Sequence, residues 1–170
     1  VPSGITNVEH RAVYDAAISA GAREVYIIEE PMAGAIGIEL PVLDPVGCMV
    51  VDIGGGTTDI AVMSLGGIVQ SKSIKLAGDK MNQDVIDYLR NEYKILVGEK
   101  TAEEIKISVG SVESKSEGLE VTVRGRDLIS GLPREIMITG RDIYEAIHGS
   151  VQVILDGVRE VLETTPPEIV

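Results

Sequence analysis

The sequence lacks tryptophan and phenylalanine, and it contains a single cysteine. One cysteine, Cys48, excludes a disulfide framework within the chain and a multi-cysteine metal site, and we interpret it as a buried thiol. The 15 Lys and Arg residues are outnumbered by 27 Asp and Glu, and the resulting net charge of −12 argues against a nucleic-acid-binding surface. No apolar run approaches the ~18 residues that a transmembrane helix needs.

What the chain does contain is aliphatic. Of its 170 residues, 44% are hydrophobic, and isoleucine, valine, leucine and alanine supply most of them. This composition is typical of an α/β core, and the length suits one domain or two small lobes. The sequence begins without Met or a basic segment, so we expect no signal peptide. We also expect the chain to be part of a longer polypeptide.

Hydrophobic periodicity and capping signals predict an alternation of helices and strands. In chain order they predict a helix from Ser3 or Thr6 to Gly21, a strand at 24–28, a helix at 31–40, a meander of strands at 47–53, 57–65 and 67–77, helices at 78–96 and 101–112, a hairpin of 120–127 with 134–142, and a last helix at 143–165 that Gly149 and Ser150 kink or split. The prediction is a mixed α/β chain that contains a β-meander and an inserted α+β segment.

The segment VVDIGGGTTDIAV, residues 50–62, carries three consecutive glycines between two strand-like runs. Consecutive glycines allow successive N–H groups to point into one anion-binding nest, and they let phosphates approach the backbone closely. Asp52 and Asp59 flank this turn with the carboxylates that Mg²⁺ prefers, and Thr57 and Thr58 add hydroxyl groups. On the glycines alone, a purely structural hairpin is an equally good interpretation.

Two other classes of phosphate-binding loop are excluded by their sequence patterns. The chain contains no G-x-x-x-x-G-K-[ST] segment, so it is not a P-loop NTPase. The glycines are followed by the β-branched run TTDIAV and not by a helix, which argues against a Rossmann dinucleotide turn.

The glycine segment resembles the second phosphate motif of the actin-like ATPase superfamily. IEEPMAGAIG, which precedes it, is similar to a helix start found in the same superfamily, and the segments VPSGIT, TAEEIKI, VRGRDLISGLP and TPPE resemble the MreB family of bacterial actins. This resemblance extends over the whole chain. It implies an actin-like (ribonuclease H-like) α/β fold, with a mixed sheet that includes the meander and with an inserted small α+β subdomain.

The resemblance also implies roles for individual residues. Glu30 matches the catalytic residue that positions or deprotonates the attacking water, with Glu29 as the competing candidate. For Glu30 alone, an acid that complements the helix dipole is the simpler interpretation. Asp52 matches the aspartate that binds Mg²⁺ through water, and Asp59 is a weaker match.

Further residues match the ATP-binding positions of the family. They are Gly54, Gly55, Gly56, Thr57 and Thr58 around the β- and γ-phosphates, with Thr57 also near the reacting water, and Glu103, Lys106 and Gly78 around the ribose and adenine. Asp79 beside Gly78 ranks lower. An exposed ion pair between Glu103 and Lys106 is the alternative interpretation for those two residues, which lie one helical turn apart.

In the family's arrangement, residues 1–40 would end the inner subdomain of the first lobe. Residues 41–79 and 143–170 would form the inner subdomain of the second lobe, and 80–142 would form its outer subdomain. The family's first phosphate hairpin and its adenine loop are absent from the sequence. We therefore expect this chain to hold half of a nucleotide cleft and, alone, to bind ATP weakly and hydrolyse it negligibly.

The function implied for the full-length protein is ATP-dependent formation of filaments that organise cell-wall synthesis and maintain rod shape. The implied ligands are ATP and Mg²⁺, and the implied partners are further copies of the protein and the cell-wall elongation machinery. We expect a cytoplasmic protein whose filaments lie at the membrane, with no membrane anchor in this chain and no nucleic-acid partner. The alternatives are a monomeric chaperone-like ATPase, a kinase relative and a non-enzymatic scaffold.

Overall fold

The computed structural model describes residues 1–113 and 118–169. These residues divide into two compact units. Unit 1 comprises Val1–Lys75 with the residues from Leu155 onward, and unit 2 comprises Leu76–Ile154. The elements are α1 (Asn7–Ser19), α2 (Glu30–Gly37), β1 (Cys48–Ile53), β2 (Thr58–Ser64), β3 (Gly67–Ile74), α3 (Gly78–Glu92), β4 (Ile95–Leu96), α4 (Glu99–Val109), β5 (Glu120–Asp127), β6 (Pro133–Thr139) and α5 (Gly140–Thr164).

The inserted segment predicted at 80–142 lies within the limits of unit 2, except that residues 114–117 are outside the described residues. The assignment of either unit to a lobe of the family's fold stays a prediction. Helix α5 contributes its first part to unit 2 and its last part to unit 1.

Helix α1 begins with the capping box that the sequence predicts. The Thr6 hydroxyl accepts a hydrogen bond from the Glu9 N–H at 3.3 Å, and a Glu9 carboxylate oxygen accepts one from the Thr6 N–H at 2.8 Å. The bond from the Thr6 backbone is the main cause of a lowered pKa at Glu9. Gly21, just after the helix, has a φ of 101°, a conformation that glycine adopts without strain.

In unit 1, β1, β2 and β3 form the predicted meander, an antiparallel sheet with β2 at its centre. Every residue of β2 is buried, because helices cover both faces of the sheet. On one face, Ala61 and Met63 pack with Ala35 of α2. On the other face, Ile60 packs with Val161 of α5.

The contact between α5 and this sheet depends on a glycine. A Cβ atom at Gly157 would lie 2.4 Å from Cδ1 of Ile74 and 3.1 Å from Cδ1 of Ile60. These distances leave no room for a side chain, so Gly157 allows the helix backbone to approach the strands closely.

Unit 2 contains a second antiparallel sheet, in the order β4-β5-β6, packed against α3, α4 and the first part of α5. Its core is aliphatic, as the composition predicts. The fully buried members include Val85, Leu89, Ile95, Ile138 and Ile143. The hairpin of β5 and β6 across residues 128–132 is also confirmed.

A polar cluster links the start of α5 to α3. Tyr88 and Tyr93 donate to Asp142 Oδ1 at 3.2 and 2.9 Å, while Thr139 donates its N–H and hydroxyl to Oδ2. Burial first, and the carboxylate second, raise the pKa of each tyrosine to about 12. Desolvation raises the pKa of Asp142, but the hydrogen bonds from Thr139, Tyr93 and Tyr88 together outweigh it and the net pKa is lowered.

Residues 24–28, predicted as a strand, form none in the structure. Extended, β-branched sequence indicates strand propensity, but a strand also needs a partner along its length. Here the Val1 nitrogen donates to the Ile28 carbonyl at 2.9 Å and the Glu30 N–H donates to the Val1 carbonyl at 2.8 Å. These two backbone bonds attach residues 28–30 to Val1, and the strand pairs in the two sheets that the structure describes are antiparallel.

Three further expectations need correction. The helix predicted at 78–96 ends at Glu92, because Ile95 and Leu96 pair with β5 as strand β4. Helix α5 is continuous through Gly149 and Ser150; Ser150 is buried and donates to Asp84 of α3, which favours the helical path. Cys48 is half-buried, because it starts β1, whose one strand partner in the described sheet is β2.

Candidate nucleotide-binding site

The three glycines occupy a tight hairpin loop at one end of the sheet in unit 1. Ile53 of β1 pairs with Thr58 of β2, so only residues 54–57 make the connection. The Gly54 N–H donates to the Thr57 carbonyl at 2.9 Å, which closes the loop. The predicted hairpin is therefore confirmed, and its glycines are exposed.

The fold itself does not require glycine at every position of this loop. None of Gly54, Gly55 and Gly56 has the positive φ that favours glycine. A Cβ atom at Gly54 would lie 3.2 Å from the Thr57 carbonyl oxygen, which is tight, but one at Gly56 would meet nothing within 4 Å. Neither packing nor backbone conformation therefore requires glycine at position 56. The absence of a side chain there allows an external group to approach the backbone closely.

The two aspartates of the motif have different environments. Asp52 and Asp59 are opposite each other in the register of β1 and β2, yet Asp52 is exposed and Asp59 is only 1% exposed. Asp59 Oδ1 accepts hydrogen bonds from the Ser3 N–H at 3.2 Å and from the Ser3 hydroxyl at 3.0 Å. Asp52 is therefore the carboxylate available to a metal ion, and Asp59 is held by the protein.

The two threonines after the glycines also differ in burial. Thr57 is half-buried at the end of the loop, whereas Thr58 is fully buried at the start of β2. Because side chains alternate along a strand, Thr58 lies on the same face as Ile60, the face that α5 covers. Its predicted role in phosphate binding stays a prediction, with the hydroxyl enclosed in unit 1.

Glu30 is the first residue of α2, and Pro31 is the second. The Glu30 side chain is exposed, while Glu29, the N-cap residue, is half-buried and makes no capping hydrogen bond. A carboxylate in the first turn is stabilised by the helix dipole, so the helix start alone explains an acid here. Exposure leaves Glu30 able to contact a water molecule or ligand.

Gly78, Glu103 and Lys106 all belong to unit 2. Gly78 is the first residue of α3, and the Lys106 Nζ of α4 donates to the Gly78 carbonyl at 3.1 Å. The predicted alternative, an ion pair between Glu103 and Lys106, is not found within the described part of the chain. Glu103 is exposed, so Glu103 and Lys106 can each contact a ligand independently.

Within the described ranges, no group of three or more His, Cys, Asp or Glu side chains is arranged to hold a metal ion. A single exposed carboxylate such as Asp52 fits Mg²⁺ bound mainly by water and phosphate oxygens, which is how the ion usually binds beside nucleotides. None of the helices that the structure describes is long and apolar enough to span a membrane.

Comparison with protein families identifies the chain. The family model described as MreB/Mbl protein matches residues 1–170. The chain belongs to the MreB/Mbl family. It is 50% identical over 168 residues to the cell shape-determining protein Mbl of Bacillus subtilis (strain 168), covering 99% of this chain and 50% of the relative.

Other members of the MreB/Mbl family are similarly related. Identity to the cell shape-determining protein MreB of Escherichia coli (strain K12) is 48% over 169 residues, covering 99% of this chain and 49% of the relative. The chain therefore spans about half the length of the curated relatives it matches. The family is one of actin-like cell shape-determining proteins, which confirms the family and fold predicted from the motifs and does not favour a chaperone-like ATPase.

Solved MreB structures share the fold. MreB 5 of Spiroplasma citri bound to AMPPNP matches with a TM-score of 0.93 and 42% identity, covering 99% of this chain and 50% of that one. The same protein bound to ADP matches with a TM-score of 0.94 and 42% identity, covering 99% and 51%. Both solved structures thus match almost the whole length of this MreB/Mbl chain.

Two contacts of this MreB/Mbl chain were not predicted from the sequence. The bonds from Ser3 to Asp59 join residues 56 positions apart, and the bond from Lys106 to Gly78 joins residues 28 apart. The residues around Asp59 and Gly78 give no sequence signal for these distant donors, which only the tertiary structure identifies.

Proposed function

We propose that this chain forms part of an ATP-binding, filament-forming bacterial actin that maintains rod cell shape by organising cell-wall synthesis. The observation that carries the proposal is the run of exposed glycines at 54–56, where Gly56 is not required by packing or backbone conformation. Similarity to MreB 5 structures bound to AMPPNP and ADP supports the same assignment.

In this proposal the loop binds the phosphates of the nucleotide. The exposed backbone of Gly54, Gly55 and Gly56 presents N–H donors to phosphate oxygens, and the absence of Cβ atoms permits close approach. Asp52 would hold Mg²⁺ through water, because its exposed carboxylate lies at the end of β1 beside this loop. Thr57 would donate its hydroxyl near the terminal phosphate.

Hydrolysis would depend chiefly on Glu30. ATP, when bound with Mg²⁺, supplies the activated γ-phosphoryl group, whose transfer to water needs positioning and charge stabilisation from the protein. An exposed carboxylate at the start of α2 can accept a proton from water or orient it. The main chain of Glu30 is fixed by its bond to Val1.

Ribose and adenine recognition is assigned to unit 2. Exposed Glu103 can accept hydrogen bonds from ribose hydroxyl groups. One ammonium donor of Lys106 is used in its bond to the Gly78 carbonyl. Its methylene chain and its remaining ammonium donors can contact a nucleotide.

We further propose that nucleotide binding favours head-to-tail association, since a heterologous contact that does not close generates an open filament. The filaments would lie in the cytoplasm at the membrane, where the cell-wall elongation machinery is their partner. A monomeric chaperone-like ATPase would share the phosphate loop but would not assemble.

Sedimentation of the full-length protein tests this proposal. Incubation with Mg²⁺ and ATP should move protein from the supernatant to the pellet, and chelation of Mg²⁺ should return it. Protein that binds ATP but stays in the supernatant at every concentration would favour the monomeric ATPase. The 170-residue chain alone should bind ATP weakly, and micromolar affinity by calorimetry would refute the view that it holds half of a cleft.

A further inference from the structure

Asp59 is a buried carboxylate that one neighbouring residue supports. It is 1% exposed, and its Oδ1 accepts two hydrogen bonds from Ser3. Among the described residues it forms no ion pair with a lysine, arginine or histidine. Burying a carboxylate costs several kcal/mol unless hydrogen bonds compensate, so the bonds from Ser3 stabilise Asp59 and attach residues 1–4 to β2.

Ser3 belongs to a short segment, Val1–Gly4, which we name the strap. Its first residue is bound to the start of α2, because the Val1 carbonyl accepts from the Glu30 N–H at 2.8 Å and the Val1 nitrogen donates to Ile28 at 2.9 Å. Ser3 is two positions after Val1, with one residue between them, so the link is at most ~7 Å long. Pro2 between them has a fixed φ, which stiffens it further.

The strap also contacts β3. A Cβ atom at Gly4 would lie 3.0 Å from the Ser73 Cβ, and Ser73 is the residue opposite Asp59 in the register of β2 and β3. The strap therefore crosses the sheet at the level of Asp59. On the other side of β2, the residue opposite Asp59 is Asp52.

These contacts connect the two parts of the proposed catalytic site in unit 1. One end of the strap fixes the backbone of Glu30, and the other end is bonded to Asp59, one residue beyond the Thr58 that closes the phosphate hairpin. A displacement of about 1 Å in a reacting group can reduce a rate about 100-fold. A rigid link between hairpin and helix start therefore bears directly on rate.

We propose that Ser3 and Asp59 are positioning residues, which act through the strap to set Glu30 relative to the phosphate hairpin. The inference rests on the proposed nucleotide hydrolysis at that site. Neither side chain needs to touch the nucleotide. Ser3 and Asp59 affect the rate of hydrolysis, whereas nucleotide affinity depends on the glycine loop and on Asp52.

The test compares Ser3→Ala, Ser3→Thr and Asp59→Asn in the full-length protein, with Ser19→Ala as the matched control. Ser19 is an exposed serine of the same unit at the end of α1. Three quantities are measured: the affinity for a fluorescent ATP analogue, the single-turnover hydrolysis rate, and hydrogen–deuterium exchange of the Glu30 amide without nucleotide.

Ser3→Ala and Asp59→Asn should hydrolyse ATP about tenfold more slowly, with the affinity within about threefold of the parent protein. The Glu30 amide should exchange faster, because its bond to Val1 is loosened. Ser3→Thr retains the hydroxyl, so its hydrolysis rate and its Glu30 exchange should match those of the parent protein. Ser19→Ala should change neither quantity.

Two results would overturn the proposal. One is unchanged exchange at Glu30 in folded Ser3→Ala protein. The other is an affinity loss as large as the rate loss, which would place Asp59 directly at the nucleotide or metal. If Asp59→Asn does not fold, the Ser3 variants decide the question. A parent protein that neither binds nor hydrolyses ATP would refute the proposed function, while the exchange measurement would still test the strap.

Discussion

Asp52 and Asp59 are directly opposite each other across β1 and β2, but only Asp52 is exposed. Asp59 lies in the buried central strand and accepts two hydrogen bonds from Ser3, whereas Asp52 lies in β1, an outer strand of the described sheet. Two acids that are equivalent in the sequence motif therefore have separate uses. One is available to a metal ion at the surface, and the other is an internal attachment point.

Replacing Asp52 with Asn should weaken binding of Mg²⁺-ATP about tenfold and leave binding of ATP without Mg²⁺ nearly unchanged, because the carboxylate acts on the ion. Stability should hardly change, since Asp52 is exposed. Titration of the full-length protein with a fluorescent nucleotide, with and without Mg²⁺, measures both affinities. Asp44→Asn, another exposed aspartate of unit 1, is the control, and equal losses in both conditions would contradict the metal role.

Replacing Gly56 with Ala should reduce ATP affinity without reducing stability. The added methyl group meets no atom within 4 Å, so the fold tolerates it, but it occupies space that the phosphates need. Thermal unfolding and nucleotide titration separate the two effects. Gly34→Ala in α2 also enters open space and should stabilise the helix by up to about 1 kcal/mol. If Gly56→Ala and Gly34→Ala bind ATP with equal affinity, Gly56 does not face the nucleotide.

Much of this fold follows from local sequence signals. The meander, the β5–β6 hairpin and the capping box at Thr6 are all confirmed, because alternation, glycine turns and capping pairs act over a few residues. The predictions that were wrong depend on pairing between residues that are far apart in the sequence. Residues 24–28 have strand-like composition without a paired strand, and Ile95 becomes a strand only because β5 lies beside it.

The candidate site divides in the same way. The hairpin, its exposed glycines and the position of Glu30 at a helix start could be predicted from the motif. Which of Asp52 and Asp59 is exposed could not, because the answer depends on the order of strands in the sheet, and the donor to Asp59 is Ser3, 56 residues earlier. Burial of Thr58 likewise depends on α5, which is far along the chain.

Glu30 and Glu29 are adjacent carboxylates, and substitution distinguishes their roles. Glu30→Gln should lower the hydrolysis rate by about 100-fold or more, because the carboxylate is needed to accept or orient a proton. Glu29→Gln, at the half-buried N-cap position, should lower the hydrolysis rate by less than about tenfold, because Glu29 acts on the reaction only indirectly.

Single-turnover hydrolysis of bound ATP by the full-length protein gives both rates without a contribution from assembly. Nucleotide affinity should be preserved in both variants, since neither carboxylate is assigned to phosphate binding. The reverse order of effects would reassign the catalytic role to Glu29.

The tip of the β5–β6 hairpin should lose stability in acid through Asp127. Hydrogen bonds from Ser130, followed by that from Arg134, lower the pKa of Asp127 to about 2, below the ~3.9 expected for an unfolded aspartate. A carboxylate with a lowered pKa stabilises the fold above the unfolded value, and this contribution is lost as the pH falls through the folded one. The stabilisation should therefore be complete above about pH 5 and disappear as the pH falls from about 4 to 2.

Denaturant unfolding of the parent protein and of Asp127→Asn, measured from pH 6 to pH 2, checks this expectation. The stability difference between them should be large at pH 6 and should shrink through the acid range, because asparagine cannot titrate. Glu145→Gln removes an exposed negative charge from α5 and controls for the change in net charge. A difference that stays constant down to pH 2 would mean that ionisation of Asp127 does not stabilise the hairpin.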